Sequence, residues 1–314
     1  MKKKCLVLCV AALCGIMFFA CKDKEKEDEG KKKIDPSTIA ADNLVAYFAF
    51  EGNGNDAISE MTPKNASTTT VTFPEGRRGK CFQGSNDGLK SGLLYELQES
   101  SKLKSLKTFS ISLWAKLVPN TKETTEAPEQ MLFQVNGTGD WVWGNLFLLQ
   151  QRNLPESEKV REKNFAPMTC YFWGDDAKDW KGQRGDGWYL DVTVSNWRHI
   201  ICTYNNATSE FHAYVNGVHV KGLDEDGKPE DYKGVNRTQG ENGPPFGDLK
   251  FKEAKFLAIG AWCERLRGES LLTADWASPF KGQLDEFRIY DKALTAKEVE
   301  DLYAAEVSQL DLEE

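Results

Sequence analysis

Trp197–Val220, WRHIICTYNNATSEFHAYVNGVHV, alternates apolar and polar residues with a period of two over three short runs. Ile200, Cys202 and Tyr204 share one face of a strand, and Phe211, Ala213 and Val215 share one face of the next. A helix would scatter these residues around its circumference, so the segment has to be a sheet with one buried side. The breaks agree: Asn205–Ser209 is a polar turn, and Asn216-Gly217 is suited to the two positive φ angles of a type I′ hairpin.

Further strand-like runs follow the same grammar on either side. Leu44-Val-Ala-Tyr-Phe-Ala-Phe-Glu-Gly-Asn-Gly-Asn-Asp56 opens the pattern and Phe280-Lys-Gly-Gln-Leu-Asp-Glu-Phe-Arg-Ile-Tyr-Asp-Lys-Ala-Leu294 closes it, with Gly79–Gly84, Phe109–Ala115 and Phe256–Gly260 between them. In this order the runs resemble the concanavalin A-like lectin/glucanase superfamily, in particular its laminin G-like branch, over roughly residues 43–303. The resemblance implies an all-β fold, a two-sheet antiparallel β-sandwich of jelly-roll type. It constrains the ligand far less than the fold. Thr295-Ala-Lys-Glu298 reads as a capping box with Leu294 and Val299 as a hydrophobic staple, so a short helix over about Ala296–Ala304 is expected to close the domain.

The N-terminus has a different character. Lys2–Lys4 precede the apolar run Cys5–Ala20, and Cys21 is followed at once by charge; the run is short for a membrane span. Phe18-Phe19-Ala20-Cys21 resembles a lipoprotein signal-peptidase site, which implies a signal peptide over 1–20 and a lipid on Cys21. An ordinary cleaved signal peptide and an uncleaved anchor are the alternatives. Residues 21–40 then form a charged tether with little to bury, and 41–314 form one domain. The acidic residues Asp23, Glu25, Glu27, Asp28 and Glu29 resemble the surface-export signal of Bacteroidetes-type lipoproteins, which implies an outer-membrane protein facing outwards, attached to the membrane through its lipid only.

Charge excludes one class of partner. The full chain carries −8, and loss of the first twenty residues with their three lysines leaves −11. Nucleic acid would need a basic stripe, whereas the lysines here are interleaved with acids. Of eight cysteines, Cys81, Cys170, Cys202 and Cys263 belong to the domain, where a disulfide and buried free thiols are both open.

Nine tryptophans are placed unevenly. Trp114 and Trp197 lie in strand motifs and read as core. Trp141 and Trp143 alternate around Val142, and Trp173, Trp180 and Trp188 fall among Asp175, Asp176, Asp179, Gln183, Arg184 and Asp186. A sugar ring offers apolar C–H faces rimmed by hydroxyls, so aromatic platforms beside carboxylate and guanidinium groups suit a glycan. The expected carbohydrate site is Trp143, Trp173, Trp180 and Trp188 with Asp176 and Arg184, and Trp262 more distant; core packing is the alternative for any one tryptophan. The segment Lys221–Lys250 reads as a polar insertion.

The superfamily resemblance also implies a structural Ca²⁺ on Asp285, with Glu51 and Asn53 from the first-strand loop and carbonyls or water completing six to eight oxygens. An Asp285–Arg288 pair or a turn cap is the alternative. Enzymes of this fold place two carboxylates on one strand face, as in Glu-x-Asp-x-x-Glu, and no such motif stands here. The chain is therefore expected to be a non-catalytic, lectin-like surface lipoprotein whose partner is a glycan. A protein-binding adhesin or an accessory subunit of a surface complex is the main rival, and a glycoside hydrolase is third.

Overall fold

The computed structural model describes residues 34–85, 87, 90–118, 129–137, 144–151, 165–173, 182–191, 196–223, 229–231, 244–268 and 277–310. In chain order the strands are β1 (Leu44–Phe48), β2 (Phe82–Gln83), β3 (Leu93–Glu96), β4 (Phe109–Lys116), β5 (Glu129–Asn136), β6 (Leu146–Gln150), β7 (Phe165–Trp173) and β8 (Gly182–Asp191). They continue as β9 (Arg198–Asn205), β10 (Glu210–Val215), β11 (Val218–His219), β12 (Lys221–Leu223), β13 (Pro229–Asp231), β14 (Phe256–Ile259), β15 (Ala277–Pro279) and β16 (Gln283–Tyr290). Two α-helices are described, α1 (Cys263–Arg267) and α2 (Ala296–Leu310).

The strands form a sandwich. One sheet has seven strands in the order β1-β16-β4-β9-β10-β11, with β2 beside β16; the other has nine, β13-β12-β8-β7-β6-β5-β14-β3, with β15 beside β5. Pairing is antiparallel except between β15 and β5. The first and last strands are neighbours, Phe48 opposite Phe287, so the two end motifs of the sequence meet at one edge of the seven-stranded sheet, with β1 outermost.

The core lies between the sheets. Ile111 and Leu113 of β4, Ile200, Cys202 and Tyr204 of β9, and Phe211 and Ala213 of β10 face Phe133 and Val135 of β5, Leu146 and Leu148 of β6, and Phe172 of β7. Rings interlock across the gap: Phe133 lies 5.0 Å from Phe287, and Phe172 lies 4.6 Å from Tyr204 and 5.7 Å from Phe211. The residues that alternate in Trp197–Val220 are therefore core residues. Asn216 (φ 51°) and Gly217 (φ 77°) make the expected hairpin turn.

Three expectations change. Lys221–Lys250 is not wholly polar excursion, because Phe246 and Leu249 enter the core and Phe246 stands edge-on to Phe172 at 5.7 Å. Trp197 is only half-buried, at the entrance to β9 rather than within it. The closing helix runs about two turns further than the capping signal indicated, because Leu302 and Ala305 join Ile201, Tyr214 and Tyr290 in a second apolar cluster on the outer face of the seven-stranded sheet. Its start is as read: Thr295 Oγ1 accepts from Glu298 N, Glu298 Oε2 accepts from Thr295 N at 2.8 Å, and Leu294 and Val299 are both buried. The four domain cysteines are buried and unbridged.

Candidate ligand-binding face and the β16 clamp

The outer face of an antiparallel sandwich sheet ordinarily meets water and is polar. Over β5, β6 and β7 of the nine-stranded sheet it is instead apolar, largely aromatic and buried. Met131 of β5, Phe147 and Leu149 of β6, and Tyr171 and Trp173 of β7 join Trp262 and Ala277 in a cluster separate from the core. Phe147 and Tyr171 are cross-strand partners whose rings stack at 4.8 Å and 7°, and Trp262 stands 6.4 Å from Phe147. Amides border the cluster. Gln134 Oε1 accepts from Cys263 N at 2.8 Å, Asn136 Nδ2 donates to the Glu264 carboxylate, and Asn145 bonds Lys252 through both its N–H and its C=O. These bonds tie α1 and the 251–255 segment to one end of the sheet, the end at which β5 finishes, β6 begins and β7 finishes.

The expected carbohydrate residues divide against this face. Trp188 has no exposed surface and packs between the sheets, because the β7–β8 register sets it opposite the core residue Met168. Trp173 is on the aromatic face but only 5% exposed. Neither is the open stacking platform that the sequence suggested, and Trp262, at 0%, is covered too. The backbone of Arg184 is paired with that of Tyr171. Trp143, Trp180 and Asp176 lie outside the described residues. The buried Phe147–Tyr171 stack escaped notice in the sequence, although the alternation of β6 and β7 implies it once the two strands are known to pair.

Asp285 sits where β16 departs from regular pairing. The ladder with β4 slips between Asp285 and Arg288, and Glu286 takes a left-handed φ of 50°, so one additional residue is accommodated and Leu284, Phe287 and Ile289 all face the core. The Asp285 side chain is fully buried. Its Oδ2 accepts from the backbone N–H groups of Arg77 (2.8 Å) and Arg78 (2.9 Å), and its Oδ1 accepts from Glu286 N (2.9 Å). Gly76 permits the close approach, since a Cβ there would lie 2.6 Å from Oδ2. Glu51 Oε2 accepts from Lys80 N and Asn53 Oδ1 from Asn55 N, both on exposed side chains.

This arrangement does not fit the expected calcium set. Each of the three side chains turns an oxygen to a backbone N–H, whose hydrogen repels a cation. Asp285 instead clamps the Gly76–Lys80 turn to β16. Nor does it pair with Arg288. Burial pushes its carboxyl up to about 8, although the N–H groups of Arg78, Glu286 and Arg77 pull the other way.

Arg288 is the centre of a buried ionic network beneath α2. Its guanidinium bonds Glu286 Oε2 at 2.6 Å and Glu306 Oε1 of α2, and lies 4.3 Å from the centre of the Tyr47 ring. Tyr47 donates to Glu286 Oε2 at 2.8 Å, and Trp114 Nε1 donates to Glu306 Oε2. Trp114 is thus buried, as expected, but against α2, with its ring 5.0 Å from His199 and 5.9 Å from Tyr303. His199 lies 2.8 Å from Ser112 Oγ, and burial, reinforced by Arg288, depresses its imidazole to about 3. These groups are paired with one another beneath a helix, which is the chemistry of a structural lock.

No protein-family pattern and no curated protein sequence matches the chain. Similar solved structures are β-sandwiches. Botulinum neurotoxin type C, in a structure concerned with its interaction with two ganglioside molecules, is 11% identical over 86% of this chain and 52% of its own, with a TM-score of 0.53. The binding domain of botulinum neurotoxin DC in complex with rat synaptotagmin II is 12% identical over 86% and 52%, with a TM-score of 0.51. Domain 4 of AbnA, a GH43 extracellular arabinanase from Geobacillus stearothermophilus in complex with arabinotriose, is 21% identical over 83% and 98%, with a TM-score of 0.48. The chain spans about half the length of the neurotoxin chains it matches. At such identities the likeness is one of fold.

Proposed function

We propose that this chain is a non-catalytic glycan-binding module carried at the outer surface of its cell by a lipid on Cys21. The observation that carries the reading is the aromatic and amide-bordered outer face of the nine-stranded sheet. The segments holding Trp143, Asp176 and Trp180 follow directly in sequence on β5 and β7, whose last residues lie at the amide-tied end of that face. A sandwich of similar fold in a protein concerned with gangliosides supports it. In this reading Trp143 and Trp180 offer stacking faces, Asp176 and Arg184 bond hydroxyls, and the buried stack of Phe147, Tyr171 and Trp262 is the rigid floor that positions them.

A glycan array probed with the purified chain tests the proposal, followed by affinity electrophoresis of Trp143→Ala and Trp180→Ala. Retention by at least one polysaccharide, lost in one of these variants with melting unchanged, is expected. Silence across the array would sink it. A protein ligand is the second reading, favoured by the likeness to the domain seen with synaptotagmin II. Under that reading a surface protein would be captured by the wild type and released by the same substitutions.

A further inference from the structure

The histidines at the open edge of the seven-stranded sheet take no part in either the ionic lock or the proposed glycan face. His212 lies on β10 between Phe211 and Ala213, which face the core, so its own side chain projects from the opposite face of the sheet. His219 ends β11 and pairs with Tyr214, two residues along β10 from His212 and on the same face, so the two imidazoles are diagonal cross-strand neighbours. His212 Nδ1 and His219 Nε2 stand 3.1 Å apart, with the rings inclined at 64°, and share one proton in a hydrogen bond whose direction depends on the tautomer; a bound ion would displace that proton. His219 is exposed and His212 half-buried.

That separation matches a chelate. Two imidazole nitrogens each about 2.0–2.1 Å from one ion are separated by roughly 2.9 Å at a right angle and roughly 3.3 Å at the tetrahedral angle. The 3.1 Å found here falls between the two. A carboxylate stands near the pair: Glu210 Oε2 is 4.0 Å from His212 Nε2, the ring nitrogen other than the one facing His219, which is too long for a hydrogen bond but close enough to become one on a small side-chain rotation. A carboxylate that takes the second N–H of a ligating histidine fixes its tautomer with the lone pair on the metal side. The scaffold is rigid as well, because the Asn216-Gly217 turn sets the strand register and Asn216 is bonded in both directions to the backbone of His199.

We propose that His212 and His219 form a solvent-facing two-imidazole chelate for a borderline divalent transition metal such as Zn²⁺, Ni²⁺ or Cu²⁺, with Glu210 orienting His212 and water completing the shell. Imidazole suits these ions, whereas calcium, which takes oxygen ligands, is excluded here. Neither the lipid anchor nor glycan binding bears on this site.

The test is zinc titration of the purified chain, followed by calorimetry and by the imidazole C–H resonances in proton NMR. The resonances of His212 and His219 should shift or broaden with submillimolar zinc while that of buried His199 stays in place, a readout that needs no variant. One zinc equivalent should be lost in the double variant His212→Ala/His219→Ala, each single substitution should weaken binding at least tenfold, and Glu210→Gln should weaken it less. Unmoved histidine resonances, or wild-type stoichiometry and affinity in a folded double variant, would overturn the proposal.

Discussion

Trp188 shows what a single side chain decides. It lies between the sheets with no exposed surface, so Trp188→Ala should cost about 3–5 kcal/mol and be visible as a large fall in the denaturation midpoint. Trp143→Ala and Trp180→Ala, proposed as stacking faces, should melt near wild type and report only on ligand retention. A stable Trp188→Ala would show that the β7–β8 register has been misread. His199 gives a pH signature. Its folded pKa of about 3 lies below the unfolded value near 6.5, so its contribution is fully present above pH 6.5 and is lost as pH falls towards 3, on the order of 5 kcal/mol in all. Asp285 acts in the opposite sense, because a carboxyl raised to about 8 contributes most in acid and loses its contribution as pH rises through 8. His199→Gln should therefore flatten the acid limb: the stability difference between wild type and variant should narrow from pH 7 to pH 4. A constant difference would refute the buried neutral imidazole.

At the scale of an element, α2 is held by two devices of different strength. Thr295→Ala removes the cap and should cost about 1 kcal/mol. Glu306→Ala removes a carboxylate from Arg288 and strands Trp114 Nε1, and breaking such a buried pair should cost about 3–5 kcal/mol. Hydrogen exchange in α2 measures both, and equal effects would mean that the network beneath the helix contributes little. The β16 clamp is tested by melting in a chelator and in added calcium. A clamp made by the backbone N–H groups of Arg77, Arg78 and Glu286 predicts the same Tm in both, with Asp285→Ala lower in each. A Tm that falls on chelation in the wild type alone would restore the cation expected at Asp285.

For the whole molecule, attachment through Cys21 predicts that Cys21→Ser leaves an unprocessed or soluble form, read by detergent partitioning. A processed, membrane-partitioning variant would end the lipoprotein assignment. The sandwich itself was largely legible beforehand. Alternation in β9 and β10, the Asn216-Gly217 turn and the Thr295 capping box are set by the local geometry of pleat, turn and helix end, and a local pattern records them. The candidate site was legible only as a concentration of aromatic and acidic residues. Which tryptophan is core, covered or open depends on strand partners far away in the chain: Trp188 is placed by its pairing with β7, and Phe147 meets Tyr171 only because β6 and β7 are neighbours. Likewise Asp285 meets the Arg77–Arg78 backbone, and Tyr47 meets Glu286, across more than two hundred residues. Sequence by itself determined the alternation, the turns and the kind of fold, because each is a short-range property of the backbone. Only the tertiary structure decided which faces are interior, which backbone N–H groups the oxygens of Asp285 meet, and which two of three histidines stand together, because register between distant strands brings those groups into contact.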